Sequence, residues 1–133
     1  MRYIPIKVTG ESMSPLYPQN MKLLLDVDET NFLMGDVVVY NQTDKLIIHR
    51  VIQIIDNKFV ITKGDNNTRA DRPIRLKRLL GKIIDTRNEV DKYKVSQYSR
   101  LVGIINERYG EKHCFSALIY ILFKQYLKSK IEF

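Results

Sequence analysis

The chain has 133 residues, which fits one domain, and 44% of them are hydrophobic, so a packed core is expected and a disordered chain is excluded. Cys114 is the only cysteine, which excludes a disulfide within the chain. The net charge of +7 is concentrated late, because residues 92–133 hold 8 Lys and Arg against 3 Asp and Glu. This basic part predicts either a solvated helical face or contact with an anionic surface.

Short runs rich in β-branched residues, separated by turn residues, predict strands as far as residue 87. The predicted strands cover residues 22–27, 37–40, 46–55, 59–62 and 79–85. Asp56-Asn57 predicts a tight hairpin, and residues 63–67 have the composition of a loop. Several strands with no helix between them predict a mainly β fold with an antiparallel, barrel-like sheet, which we assign to a domain over residues 1–87.

A different pattern begins near residue 88 and predicts a helical C-terminal extension over residues 88–133. A polar linker at 88–93 precedes two predicted helices, 95–108 and 113–128, on either side of Gly110. We expect part of the apolar face of residues 114–127, with its fringe of lysines, to remain uncovered by the β domain. Its expected partner is a membrane surface, another protein or a second copy of the chain; the alternative is that this helix caps the sheet.

No basic-then-apolar leader precedes the first motif of the sequence. The longest apolar-rich segment, 114–123, is about half the length that a spanning helix needs. We therefore expect a cytoplasmic protein that is at most peripheral to a membrane, and no nucleic-acid partner is expected.

Ser12 is the first residue that can carry chemistry. It follows Gly10 in the stretch Val-Thr-Gly-Glu-Ser-Met-Ser-Pro at residues 8–15. Glycine permits a tight turn that exposes the hydroxyl, and the backbone N–H of Ser12 can face a developing oxyanion. Taken alone, this pattern more often marks a simple turn.

A serine nucleophile needs a base, and the chain has two histidines. His49 lies in the predicted strand 46–55, on the same face as Ile47 and Val51, where a histidine is more often a core residue. His113 lies in the basic tail and is interpreted as a surface residue. Asp65 and Asp71 are the candidates to orient an imidazole, although Asx turns alone also explain this loop.

The order and spacing of these residues resembles the signal peptidases, the S26 family of serine peptidases, and their S24 relatives. Ser-Met-Ser-Pro at 12–15 is similar to the family's nucleophile box, and Gly-Asp-Val-Val at 35–38 to its strand box. His-Arg-Val at 49–51 matches the box of the general base, and Lys-Gly-Asp-Asn-Asn at 63–67, with Asp71, matches the last box. The resemblance covers about residues 6–87, whereas residues 88–133 match nothing known to us.

The resemblance implies a role for each matched residue. Histidine at position 49 is typical of the archaeal, endoplasmic-reticulum and spore-type branch. Ser12 is then the nucleophile, His49 the base, and Asp65 and Asp71 the acidic partners, with Asp71 expected nearer to the imidazole. No metal or cofactor is implied.

Three further residues are expected around this centre. Gly10 and Met13 are the candidates for oxyanion and substrate contacts, and Arg50 is expected on the opposite strand face, paired with a loop carboxylate. The lead-in Thr9-Gly10-Glu11 departs from the signal peptidase pattern and looks more like the S24 relatives. Because position 10 is glycine, no side-chain hydroxyl there can assist the oxyanion.

The implied function is a serine endopeptidase that cuts a leader or signal-like peptide, with the precursor bound as an added strand. One alternative is a non-catalytic peptide-binding module on the same fold. Another is an S24-type regulator that cleaves itself. It would need a DNA-binding domain and an internal scissile segment before Ser12, where eleven residues stand.

Overall fold

The computed structural model describes residues 2–84, 92–109 and 114–129. Its strands are β1 (Tyr3–Lys7), β2 (Lys22–Asp26), β3 (Val37–Gln42), β4 (Lys45–Ile55), β5 (Phe59–Lys63), β6 (Ile74–Arg75) and β7 (Gly81–Ile84). Two helices follow, α1 (Lys92–Tyr109) and α2 (Cys114–Ser129). The strands form one antiparallel sheet in the order β1-β2-β7-β3-β4-β5-β6, which confirms the predicted mainly β class.

Two tight hairpins set the register of the central strands. Thr43 and Asp44 join β3 to β4 with φ of 49° and 63°; Asp56 and Asn57, with φ of 53° and 52°, are the central residues of the turn Ile55–Lys58, which Lys58 N–H closes on the Ile55 carbonyl between β4 and β5. Positive φ at both central residues is the two-residue turn that matches the twist of antiparallel strands. The Asp56-Asn57 hairpin predicted from the sequence is therefore present.

Several element limits differ from the prediction. The last strand begins at Gly81 and not at residue 79, because Leu79 closes a short 3-10 turn at Leu76–Arg78. Lys92 and Tyr93, predicted as linker, already belong to α1. The edge strands β1 and β6 were not among the predicted strands. Pro5 interrupts the apolar run of β1, which an edge strand tolerates; among the described strands, β1 pairs with β2 alone.

The larger hydrophobic core lies between one face of the sheet and the two helices. Val39 and Ile48 of the sheet belong to the same buried cluster as Val102 of α1 and Phe123 and Leu127 of α2. The helices therefore pack on the β sheet. The proposed division of the chain at residues 87 and 88 stays a prediction, because residues 85–91 lie outside the described part.

The opposite face of the sheet carries a smaller cluster that contains Val38, Val51 and Val60. His49 pairs with Val38 across β3 and β4, so its side chain is directed to this face. Arg50, the next residue, is directed to the helical face. The alternation of β4 thus separates the histidine from the arginine, as the sequence pattern predicted.

Neither helix, over the residues described, is both long and apolar enough to cross a bilayer. His113, the second histidine of the chain, lies outside the described residues, as do the side chain of Cys114 and the linker residues 88–91.

Candidate active site

Ser12 lies on a turn that follows β1 and leads back to β2. Gly10 has φ of +80°, a conformation that side chains disfavour, and a Cβ there would meet nothing within 4 Å. The turn therefore needs glycine for its backbone conformation. It is closed by the Ser14 N–H, which donates to the Glu11 carbonyl at 3.1 Å, and by the Tyr17 N–H, which donates to the Met13 carbonyl at 3.0 Å.

His49 stands between Ser12 and Asp71. Its Nε2 lies 3.2 Å from Ser12 Oγ, and its Nδ1 lies 2.5 Å from Asp71 Oδ2. With the proton on Nδ1 donated to the carboxylate, Nε2 has a free lone pair for the serine hydroxyl. This tautomer is the one that general-base catalysis requires.

Asp71 is held by two further donors on the same oxygen. Thr62 Oγ1 donates to Oδ2 at 2.7 Å, and the Tyr40 hydroxyl donates to it at 3.2 Å. Burial raises the pKa of Asp71, but the hydrogen bond and charge of His49, together with these hydroxyls, outweigh it and hold that pKa below its ordinary value. The carboxylate is therefore ionised at neutral pH.

Tyr40 is part of the same network and stays protonated. Burial raises the pKa of Tyr40 to about 12, in spite of its hydrogen bond with Thr62, and the neighbouring Asp71 charge adds to the effect. Its hydroxyl can therefore serve as a donor throughout the physiological range. Neither Tyr40 nor Thr62 was singled out from the sequence, since a hydroxyl in a strand gives no signal until the register is known.

Asp65, the other candidate acid, faces Arg50 and not the imidazole. Arg50 Nε and Nη2 donate to the two carboxylate oxygens of Asp65, each at 2.9 Å, and Nη1 donates to the Gly35 carbonyl at 2.8 Å. Both side chains of the pair are almost fully buried. Burial lowers the pKa of Arg50, but the Asp65 carboxylate outweighs it and raises that pKa above its ordinary value. Asp65 therefore neutralises the buried Arg50, and Asp71 is the acid that contacts the imidazole.

Met13, a candidate for substrate contact, borders the groove but buries its side chain. It is 1% exposed, belongs to the larger core, and its sulfur accepts the Asp65 N–H at 3.3 Å. The contact links the turn that carries Ser12 to the loop after β5. Gly64 supports the same contact, because a Cβ there would come within 2.7 Å of the Ser12 carbonyl oxygen.

A groove of about 620 Å³ leads to Ser12 and His49. One wall is formed by residues 6–10, from the end of β1, and the other by residues 44–48, from the beginning of β4. Strand β5 pairs with β4 only from Arg50 onwards, so residues 45–49 have no partner on that side among the described strands. An extended peptide in the groove can therefore hydrogen-bond to backbone and end at the serine.

Two lysines near the site were also missed. Lys63 is fully buried, and its Nζ donates to Ser99 Oγ at 2.9 Å and to the Gly64 carbonyl at 3.2 Å. Lys124 of α2 reaches the turn that carries Ser12, where its Nζ donates to the Ser14 carbonyl. Sequence patterns treat lysine as a surface residue, and only the packing of the helices on the sheet reveals these contacts.

Comparison with known proteins identifies relatives over the β part of the chain. Residues 2–84 match the model of the family described as Peptidase S24-like. The catalytic subunit SEC11 of the signal peptidase complex from Zygosaccharomyces rouxii is 35% identical over 75 residues, and that from Yarrowia lipolytica is 39% identical over 71 residues. These alignments cover 52% and 50% of this chain but 45% and 41% of the relatives, so the chain matches less than half of their length. No solved structure matches significantly.

Proposed function

The chain belongs to the S24-like peptidase family, and we propose that it is a serine endopeptidase in which Ser12 is the nucleophile, His49 the general base and Asp71 the residue that orients His49. The observation that carries the proposal is the continuous contact from Ser12 Oγ through both imidazole nitrogens to the Asp71 carboxylate. The match to signal peptidase subunits supports a signal-peptidase type of activity.

The proposed reaction follows from this contact. His49 Nε2 removes the hydroxyl proton as Ser12 Oγ attacks the scissile carbonyl carbon, and the imidazolium is stabilised by Asp71. The backbone N–H of Ser12 is the proposed donor to the oxyanion. Nε2 then protonates the leaving amine as the C–N bond breaks. In the second half, His49 Nε2 takes a proton from a water that attacks the acyl carbon, and then gives it to Ser12 Oγ as the bond between the acyl carbon and Oγ breaks.

The proposed substrate is a leader or signal-like peptide of a precursor, bound as an extended strand between residues 6–10 and 44–48. Support comes from the groove beside the half-paired β4 edge, which offers backbone groups to a peptide of many sequences. Side-chain pockets on a strand-binding site read alternate residues of the peptide. Two Lys residues, Lys7 and Lys45, and one acid, Asp44, line this groove.

The test is cleavage of a diverse peptide library by the purified chain, read by mass spectrometry, together with labelling by an alkyl fluorophosphonate. Wild type should cleave and be labelled at Ser12. Ser12→Ala should lose about four or more orders of magnitude in rate while unfolding at the same temperature, because one oxygen leaves a turn. Thr30→Ala, which removes an exposed hydroxyl elsewhere, is the control. Equal cleavage by wild type and Ser12→Ala would refute the proposal.

A further inference from the structure

Helix α2 reaches the nucleophile turn through one side chain. Lys124 Nζ donates to the Ser14 carbonyl at 3.1 Å and to Asn66 Oδ1 at 2.5 Å. These two acceptors lie on different segments, the turn that carries the nucleophile and the loop that follows β5. One ammonium group, with three donors, thus joins both segments to the helix.

Asn66 passes this contact on to the residues around the nucleophile. Its backbone N–H donates to the Ser12 carbonyl at 2.7 Å, and its Nδ2 donates to the Glu11 carbonyl at 2.9 Å. The side-chain amide can make the second bond only when its oxygen points away from Glu11. Lys124, which is a donor only, fixes that orientation by occupying the oxygen.

Helix α2 is packed against the core at the residues next to Lys124. Phe123 and Leu127, on either side of Lys124, are 2% and 0% exposed and belong to the core that covers the sheet. Lys63 Nζ lies 5.8 Å from the centre of the Phe123 ring and bonds to Ser99 of α1. Lys124 therefore extends from a part of α2 whose neighbouring side chains are packed into the core. The family match ends at residue 84, so this support comes from a part of the chain that the match does not cover.

We propose that Lys124 is a positioning residue for the nucleophile, acting through Asn66 and the Ser14 carbonyl, so that α2 belongs to the catalytic unit. The proposal rests on the proposed function of Ser12. Removing the ammonium takes away the donor that holds the Asn66 amide oxygen, and so weakens the link between the loop after β5 and the segment that carries Ser12. Reaction rates depend steeply on such placement, whereas binding of a peptide along the strands of the groove does not pass through Lys124.

The experiment measures fluorophosphonate labelling of Ser12 over a range of probe concentrations, which separates the limiting rate from the affinity for the probe. Lys124→Met should lower the limiting rate about ten- to a hundredfold and leave the half-saturating concentration within about twofold. Lys124→Arg, which keeps the donors, should recover most of the rate. Lys128→Met, one turn further along α2 and exposed, is the matched control and should behave as wild type.

A second measurement does not depend on activity. Hydrogen exchange of the Asn66 amide, which is bonded to the Ser12 carbonyl, should accelerate in Lys124→Met and not in Lys128→Met. In addition, Lys124→Met and Asn66→Ala should be non-additive in the labelling rate, because both break the same path. If Lys124→Met does not fold, Lys124→Leu takes its place, since it also lacks a hydrogen-bond donor.

An unchanged limiting rate together with unchanged Asn66 exchange in a folded Lys124→Met protein would overturn the inference and leave the proposed function standing. Equal losses in Lys124→Met and Lys128→Met would overturn it too, since a general effect of charge would then explain both. Absence of labelling at Ser12 in wild type refutes the proposed function instead. In that case Asn66 exchange still decides whether Lys124 fixes the turn.

Discussion

At the scale of single residues, the two carboxylates of the loop after β5 have different surroundings and should have different roles. Asp71 touches the imidazole, and Asp65 is buried against Arg50. We expect Asp71→Asn to lower the limiting rate about 10³- to 10⁴-fold, because an amide that donates to Nδ1 places the imidazole proton on Nε2. Stability should change little. Labelling kinetics and thermal unfolding check both statements, and a loss below tenfold would indicate a Ser12–His49 dyad without Asp71.

Asp65→Asn should show the reverse behaviour. It leaves the guanidinium of Arg50 buried without its counter-charge, which in comparable pairs costs about 3–5 kcal/mol in the free energy of unfolding. Urea unfolding of the variant measures this loss. An Asp65→Asn protein of wild-type stability would show that the buried pair contributes nothing.

The pH dependence follows from the proposed base. His49 must be neutral to accept the serine proton, so the labelling rate should rise with pH and then level off. The pKa of Asp71 is lowered, so the carboxylate remains charged across the whole range and adds no second step. Labelling rates between pH 5 and 8 test this. A flat profile would exclude a histidine base.

The sequence predicts which residues approach Ser12 better than it predicts how they are held. Ser12, His49 and the two acids follow from four short boxes in order. The choice between Asp65 and Asp71 depends on the path of residues 64–71, which Gly, Asn and Asp allow to fold in several ways. The burial of Met13 was not predicted either, because its position in a motif does not indicate that its side chain is directed into the core.

Among the contacts between elements, Lys63 joins the end of β5 to α1 through Ser99, and burial of its ammonium group lowers the free energy of unfolding. Burial lowers its pKa to about 8, in spite of the neighbouring Asp65 and Asp71. An unfolded lysine titrates near about 10.4, so above pH 8 the unfolded state binds more protons and stability rises with pH. The rise should end near pH 10, where unfolded tyrosines ionise while Tyr40, with its pKa of about 12, does not.

We therefore expect the free energy of unfolding of wild type to increase between pH 7.5 and 9.5, by about 2 kcal/mol more than that of Lys63→Met. Urea unfolding of both proteins at the two pH values gives the difference. Lys63→Arg, which does not titrate in this range, is the control. Parallel pH profiles for wild type and Lys63→Met would show that the buried ammonium is solvated in the folded state.

The periodicity of the sequence predicts the central strands of the sheet, but it gives only a weak signal for the two edge strands. Strands β3, β4 and β5 were predicted to within a residue or two, since their β-branched runs are bounded by turn residues. Strand β1 carries a proline and β6 has two residues, so neither gives a periodic signal. The sequence predicts both helices. It does not predict that they pack on the sheet, because an apolar helical face does not specify what covers it.

In the folded protein, α2 has two apolar surfaces, of which one is buried in the core and the other is exposed. Phe123 and Leu127 are buried in the core, whereas Ile121 and Leu122 are each 51% exposed. The expectation of an uncovered apolar face therefore holds for these two residues. Their partner stays a prediction, with an anionic membrane surface, another protein or a second copy as the candidates.

A pair of variants separates the two surfaces. Phe123→Ala should lower the free energy of unfolding by about 3–5 kcal/mol, because it opens a cavity in the shared core. The double variant Ile121→Ser and Leu122→Ser should leave stability within about 1 kcal/mol and reduce flotation with anionic vesicles or self-association in gel filtration. If this double variant instead unfolds and wild type is a monomer that ignores vesicles, the face is part of the core.

The hairpin between β3 and β4 gives the groove an adjustable length. Its register pairs Val38 with His49, and Asp44, at its tip, lines the end of one wall of the groove. Adding two residues to each strand before the turn preserves which side chains face which side and lengthens that wall by about 7 Å. If the chain is the proposed peptidase, designed versions with longer hairpins would contact more residues of a bound peptide, and the scissile bond would stay at Ser12. In such proteins the length of the hairpin would set how many residues of a bound peptide the groove contacts.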